Sequence, residues 1–362
     1  MNTADFCGYL HSRLADGYPM ITAIAEELAA LGVDHRTVAS GGVLARIEGR
    51  RGNVERSVVL VATVKGATEQ PCADKSKGES IKPCSCSLYH ASMLYGVLKQ
   101  CQSEPDFEGT LFALFQPAVV DGKSGARSVL AEDLFKGYNV AAVLSQRVDA
   151  TLTVGEIGFC PGRFMPSADE LHFAVKGVGG NVAERNRLKD SVVAMADLIV
   201  RLNTFNSDVC MLSVGHVEAA GEAMLLPEEC RCSGSMFAYD ENLRSRLKDM
   251  IAHAAEEVEY KYDVEVDMNI REIAPCVDNN THLTYEAMLL ADSCGFVVRD
   301  VERQAQYDDF GYYSQCYPSL CYRLGVSRSA DRMHASVADL EERALAVGEE
   351  FMCQVALNIL NK

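Results

Sequence analysis

At 362 residues, with 48% hydrophobic and 23% charged side chains, the chain is long enough for two domains around a large core and too apolar to be disordered. A formal net charge of −17 argues against nucleic acid or an anionic membrane as a partner, because both require a basic face. No run reaches about 18 apolar residues, and the N-terminal stretch carries Asp5, His11 and Arg13, so the chain reads as cytoplasmic, with no span and no secretory signal.

Phe6, Leu10 and Leu14 share a helical face, and Ile21, Ile24, Leu28 and Leu31 continue it after Pro19, with Gly32 as the stop. Residues 43–47 read as a strand ending at Gly49, and 57–64 as a β-branched strand buried on both faces. A loop rich in Lys, Ser, Gly and Pro is expected from Gly66 to Ser87, then a helix over 90–101 and a strand over 110–115 stopped by Pro117. Strands alternating with helices predict an α/β domain with a mainly parallel sheet.

After Gly162 the pattern becomes strand 170–175, helix 189–202, strands 211–217 and 230–237, helix 241–260 and strand 264–270. That β-α-β-β-α-β order predicts a ferredoxin-like module. Helices near 283–294 and 339–360 return to the α/β style. The expected division is 1–166 plus 277–362 for one domain and an inserted lid or dimerisation domain at 167–276. The 14 cysteines read mostly as reduced core thiols, Cys210, Cys230, Cys232 and Cys321 among them. Cys84 and Cys86 form a C-x-C pair in the expected loop, open either to a metal role or to ordinary packing.

Several short motifs occur in order. They are Phe115-Gln116-Pro117-Ala118, Val154-Gly155-Glu156-Ile157-Gly158, Pro161-Gly162, Met165-Pro166-Ser167-Ala168-Asp169, Lys176-Gly177-Val178-Gly179-Gly180, Asp308-Asp309-Phe310 and Met333-His334-Ala335-Ser336. With these the chain resembles, over nearly its whole length, the aminoacylase and carboxypeptidase family of zinc metallopeptidases. It is most similar to the amino-acid amidohydrolase branch that includes hippurate hydrolase and auxin-conjugate hydrolase. The resemblance implies a zinc-peptidase-like α/β domain, a ferredoxin-like lid, a homodimer formed through that lid, and two zinc ions that activate water against an amide carbonyl.

Carried over residue by residue, the resemblance places the family's C-G-H-D-G-H segment on Ser85-Cys86-Ser87-Leu88-Tyr89-His90. Its cysteine ligand falls on Ser85 and a histidine ligand on Ser87, while His90 matches a histidine that is not a ligand in this branch. The catalytic glutamate and the following glutamate ligand fall on Val119 and Val120, and another histidine ligand on Arg147. Of the five ligands, His334 matches. The lid histidine becomes Asn181, and two substrate-clamp positions become Met224 and Phe237. Shifting the loop by one residue instead lays Cys84-Ser85-Cys86 over C-G-H, with Asp121 standing in for a glutamate; one ion could then be held by thiolate and imidazole.

Two functions follow from this pattern. The first expectation is a relative that has lost zinc-dependent hydrolysis, holds no cofactor and binds a small molecule or protein. Its pocket residues would be Arg147, Asn181, Asp309 and His334 in a shared cleft, with a small carboxylate as ligand because a guanidinium grips one bidentately. The alternative is an active hydrolase of N-acyl amino acids or small peptides with a remodelled site. That site would use one metal, or Cys84 or Cys86 as nucleophile with His90 or His334 as base.

Overall fold

The computed structural model describes residues 1–38, 41–52, 55–64, 85–118, 125–327 and 342–362. In chain order come α1 (Thr3–Ala15), α2 (Met20–Ala30), β1 (Asp34–Thr37), β2 (Val43–Glu48), β3 (Arg56–Val64), α3 (Ser85–Ser103), β4 (Thr110–Pro117), α4 (Gly125–Ala131), β5 (Asn139–Thr153) and β6 (Glu156–Phe159). The middle of the chain gives β7 (Gly162–Met165), β8 (Ser167–Lys176), β9 (Gly180–Asn181), a 3-10 turn at Val182–Arg187, α5 (Ser191–Asn203), β10 (Cys210–Ala219), β11 (Leu225–Leu226), β12 (Glu229–Ala238), α6 (Glu241–Tyr262) and β13 (Glu265–Ala274). The last part adds β14 (Val277–Asn279), α7 (Thr281–Ser293), β15 (Val297–Asp300), α8 (Gly311–Cys316), β16 (Ser319–Ser327) and α9 (Arg343–Leu360).

The chain divides into two compact units. The first comprises Met1–Gly162, Asp278–Arg303 and Tyr312–Lys362, and the second Arg163–Val277 and Gln304–Gly311. Among the described residues, the first unit holds an eight-stranded sheet in the order β1-β2-β4-β3-β5-β16-β6-β15. Its centre is parallel: β4 with β3, β3 with β5, and β5 with β16. Antiparallel pairs occur at β1–β2, β2–β4 and β16–β6. Successive strand residues point to opposite faces. Val58, Leu60, Ala62 and Val64 of β3 therefore join Phe6, Leu10, Leu94, Leu98, Phe351 and Ala356 in one core. Asn2 and Asp5 form a capping box that starts α1. Gly32, at φ +68, lets the chain turn out of α2.

The second unit is a four-stranded antiparallel sheet, β10-β12-β8-β13. Its core combines Leu171, Phe173 and Val175 of β8 with Ala194, Met195 and Leu198 of α5 and Leu247, Ile251 and Val258 of α6. Asp190 and Asp240 cap the two helices, each accepting a backbone N–H of the first turn. Cys230 and Cys232 both lie in this core, as their two-residue spacing predicts. The fold class is therefore α/β with a mainly parallel central sheet, plus a ferredoxin-like module within the sequence.

Two differences from the sequence expectation bear on the site. The loop expected to run to Ser87 ends earlier, because α3 already begins at Ser85; Ser87 and His90 are helical. The 15-residue strand β5, which carries Arg147, was not anticipated. Its polar second half, Ser145 to Thr153, hides the strand pattern of Val140–Leu144.

Candidate active site

Open α/β sheets bind ligands outside the carboxyl ends of their parallel strands. The described residues singled out in the first unit, Cys86, Ser87, His90 and Arg147, lie near that edge. The chain leaves β3 for 65–84, β4 for 119–124 and β16 for 328–341, so Cys84, Val119, Val120, Asp121 and His334 lie outside the described residues.

Arg147 sits near that edge on β5, only 9% exposed. Its Nη1 donates to Ser145 Oγ at 2.7 Å and to Gln146 O at 3.3 Å, and its Nη2 donates to Thr63 Oγ1 on β3 at 3.2 Å. Ser145 Oγ in turn donates to Val61 O at 2.9 Å. The guanidinium thus bridges two parallel strands. On the next strand Arg323 pairs in register with Arg147 and is 8% exposed. Partners in register on parallel strands share a face, so two buried arginines occupy the same face of neighbouring strands. Sequence reasoning missed Arg323, although a cation inside the apolar run from Leu320 to Val326 is the kind of break that marks a site.

Cys86, half-buried, and the buried Ser87 and His90 occupy the first two turns of α3. His90 Nε2 accepts the backbone N–H of Val148 at 3.2 Å. That bond ties the start of α3 to the residue after Arg147, and it keeps the neutral ring's proton on Nδ1. At the end of β4, the buried Gln116 accepts a hydrogen bond from Tyr313 Oη at 2.7 Å. The motif glutamine thereby pins the strand end from which 119–124 departs.

In the second unit, Asn181 is exposed, and its Oδ1 accepts the Ala183 N–H at 3.0 Å, opening the 3-10 turn. Asp309 is 6% exposed. Asp308 Oδ1 beside it accepts the Phe310 N–H at 2.9 Å. The Phe237 ring, at one of the two expected substrate-clamp positions, stacks with Tyr307 at 6.3 Å between centroids. Arg147, Cys86, Ser87 and His90 therefore share one unit, and Asn181 and Asp309 share the other.

Among the described residues, no three His, Cys, Asp or Glu side chains are grouped to hold a metal ion. A serine hydroxyl at Ser87 and a guanidinium at Arg147 do not fit a zinc pair, since zinc takes thiolate, imidazole or carboxylate. Also among the described residues, no helix is long and apolar enough to cross a membrane.

No protein-family model matches the chain. Curated relatives do. N-acetylcysteine deacetylase of Bacillus subtilis is 24% identical over 328 residues, covering 88% of this chain and 85% of that protein. N-acetyldiaminopimelate deacetylase of Exiguobacterium sibiricum is 26% identical over 320 residues, covering 84% and 83%. The crystal structure of the Bacillus subtilis YXEP protein, a dinuclear metal-binding peptidase of the M20 family, superposes with a TM-score of 0.78 at 20% identity, covering 98% and 99%.

These relatives correct two expectations. The non-catalytic reading gives way, because the curated relatives are named for deacetylation. It rested on the ligand positions Ser85, Ser87, Val120 and Arg147 and the catalytic position Val119, each carried over singly from the resemblance. The expectation of no cofactor gives way too, since a structural relative binds two metal ions and zinc or another metal is to be expected here.

Proposed function

We propose, from the premise that this chain belongs to the amidohydrolase family of metallopeptidases, that it hydrolyses the amide bond of N-acyl amino acids or small peptides. The observation that carries this reading is the match to two deacetylases across 88% and 84% of the chain. In the reaction water adds to the acyl carbon, the C–N bond breaks and the departing amine takes a proton. The buried guanidinium of Arg147 holds the carboxylate of the amino-acid part, with Arg323 beside it adding positive charge. His90, by accepting the Val148 N–H, keeps β5 and the start of α3 in fixed relation, which fixes where Arg147 points.

For the expected metal, the shifted frame offers the thiolates of Cys84 and of Cys86, the latter in the first turn of α3, with the imidazole of His334 and the carboxylate of Asp121. The second unit is the dimerisation element of a homodimer. Val193 and Val200 on α5 are 49% and 65% exposed, and Val217 on the edge strand β10 is 51% exposed. An open edge strand beside exposed valines is a surface that a second copy covers.

The experiment is a panel of N-acetyl amino acids, N-acyl amino acids with longer acyl groups, and dipeptides, with amine release measured in the presence of added zinc, manganese or cobalt. The reading requires turnover of at least one N-acyl amino acid. Turnover of none, by folded protein with any of the three metals, removes it.

A further inference from the structure

Two buried thiols meet where α3 and α9 pack together. Cys101 and Cys353 are 2% and 1% exposed, and their Sγ atoms lie 3.9 Å apart across 252 positions of sequence. The helices come this close because each offers a glycine to the other. A Cβ on Gly348 of α9 would collide with Met93 Sδ of α3, and a Cβ on Gly96 of α3 would collide with the Glu349 carboxylate of α9. The contacts Met93–Gly348, Gly96–Glu349 and Cys101–Cys353 advance in the same direction along both helices, so α3 and α9 run parallel. Both helices therefore start at the same end of the pair. α3 starts directly after 65–84, which holds Cys84, and α9 just after 328–341, which holds His334.

We propose that Cys101 and Cys353 are a redox-modifiable pair that closes to a disulfide under a peroxide oxidant and clamps the two helices leading from the site segments. A disulfide needs its sulfurs at about 2.05 Å, and the two thiols already face each other at 3.9 Å. The hydrogen bond between the thiols eases Cys353 below the ordinary thiol value against the opposing effect of burial, while the same bond pushes Cys101 far up. Cys353 is accordingly the attacking sulfur. Its sulfur attacks peroxide, an S–O bond forms and the O–O bond breaks, and the departing hydroxide leaves as water with the thiol proton. Cys101 then attacks the sulfenic acid, the S–S bond forms, the S–O bond breaks and a second water leaves. Peroxide is reduced to two waters and each cysteine loses one hydrogen.

The test treats the full-length protein with hydrogen peroxide, alkylates the remaining thiols in denaturant and maps peptides without reduction. The proposal requires a Cys101–Cys353 cross-linked peptide that dithiothreitol abolishes. It also requires an upward Tm shift, by at least about 4 °C, relative to the identically treated Cys101→Ala variant, as expected for a cross-link closing a very long loop. If Cys101 and Cys353 are recovered alkylated while other thiols have oxidised, or if either pairs elsewhere, the proposal is overturned by the wild type alone. A cross-link without the Tm rise overturns the clamp.

Discussion

Two motif stretches, 165–169 in the second unit and 85–90 in the first, show what survives when a chain diverges. Met165-Pro166-Ser167-Ala168-Asp169 keeps most of the family pattern, and its polar members have internal structural work. Ser167 Oγ donates to Ala238 O at 3.0 Å. Asp169 takes both Arg244 Nε and Nη2, at 2.7 and 2.8 Å, with Lys248 Nζ at 3.0 Å. Ser85-Cys86-Ser87-Leu88-Tyr89-His90 departs from the C-G-H-D-G-H pattern it resembles at every position but His90, whose ring accepts a backbone N–H. In both stretches the matching polar residues are the ones that hold backbone or buried charge. Matches to a family pattern in this chain therefore report the fold, and function has to be sought at residues such as Arg147 and Arg323.

The largest break of that comparison is Arg244→Met. It leaves the Asp169 carboxylate, 0% exposed, without its bidentate partner, and unfolding in urea should show a loss of about 3–5 kcal/mol. A change under 1 kcal/mol would mean that Lys248 alone suffices and that the motif aspartate has another task. His90→Ala should cost about 1–3 kcal/mol by stranding the Val148 N–H, with partial recovery in His90→Gln. A His90→Ala protein of unchanged stability with lost turnover would instead put His90 in the chemistry.

Arg147→Gln sharpens the contrast from the site's side. If it holds the substrate carboxylate, KM should rise about 10- to 100-fold with a smaller change in kcat, the value of one charged hydrogen-bonded contact. Substrates amidated at the carboxyl group should lose that sensitivity. An unchanged KM would take Arg147 out of substrate binding and leave it as a bridge between β3 and β5.

The smallest expected effect is at Glu156. Burial pushes its carboxyl up, but the Thr153 N–H at 2.7 Å and Arg299 Nε at 2.7 Å hold it, on balance, below the ordinary carboxylate value. A carboxyl lowered on folding contributes stability that is fully present above its unfolded value, about 4.3, and lost as pH falls through the folded one. Glu156→Gln should therefore cost about 1 kcal/mol at pH 7, discounted for the half-exposed Arg299, and nothing measurable at the acid end of that window. A penalty that persists there would assign the effect to packing.

Much of the fold was legible. Continuous apolar runs at Val58–Val64 and Thr110–Phe115, and helical spacing at Phe6, Leu10, Ile24 and Leu28, give the elements directly. The β-α-β-β-α-β order gave the second unit's sheet. What was not legible has physical causes. β5 lost its signature where polar residues such as Ser145 and Arg147 hydrogen-bond to β3 in place of apolar packing. The start of α3 at Ser85 was hidden by Cys-Ser-Cys-Ser, which carries no helical periodicity. The pairing of Arg147 with Arg323 and of Cys101 with Cys353 depends on strand and helix register across long sequence separations, and no local pattern encodes that.

The central claim is amide hydrolysis supported by a metal, and one measurement tests it most directly. Protein stripped with a chelator and dialysed should be assayed for amine release from N-acetyl amino acids, before and after return of zinc, manganese or cobalt, with bound metal counted in the same samples. The account predicts little turnover in the stripped protein and restoration with at least one metal, in step with the metal retained. Folded protein that retains no metal and releases no amine under any of the three would contradict it.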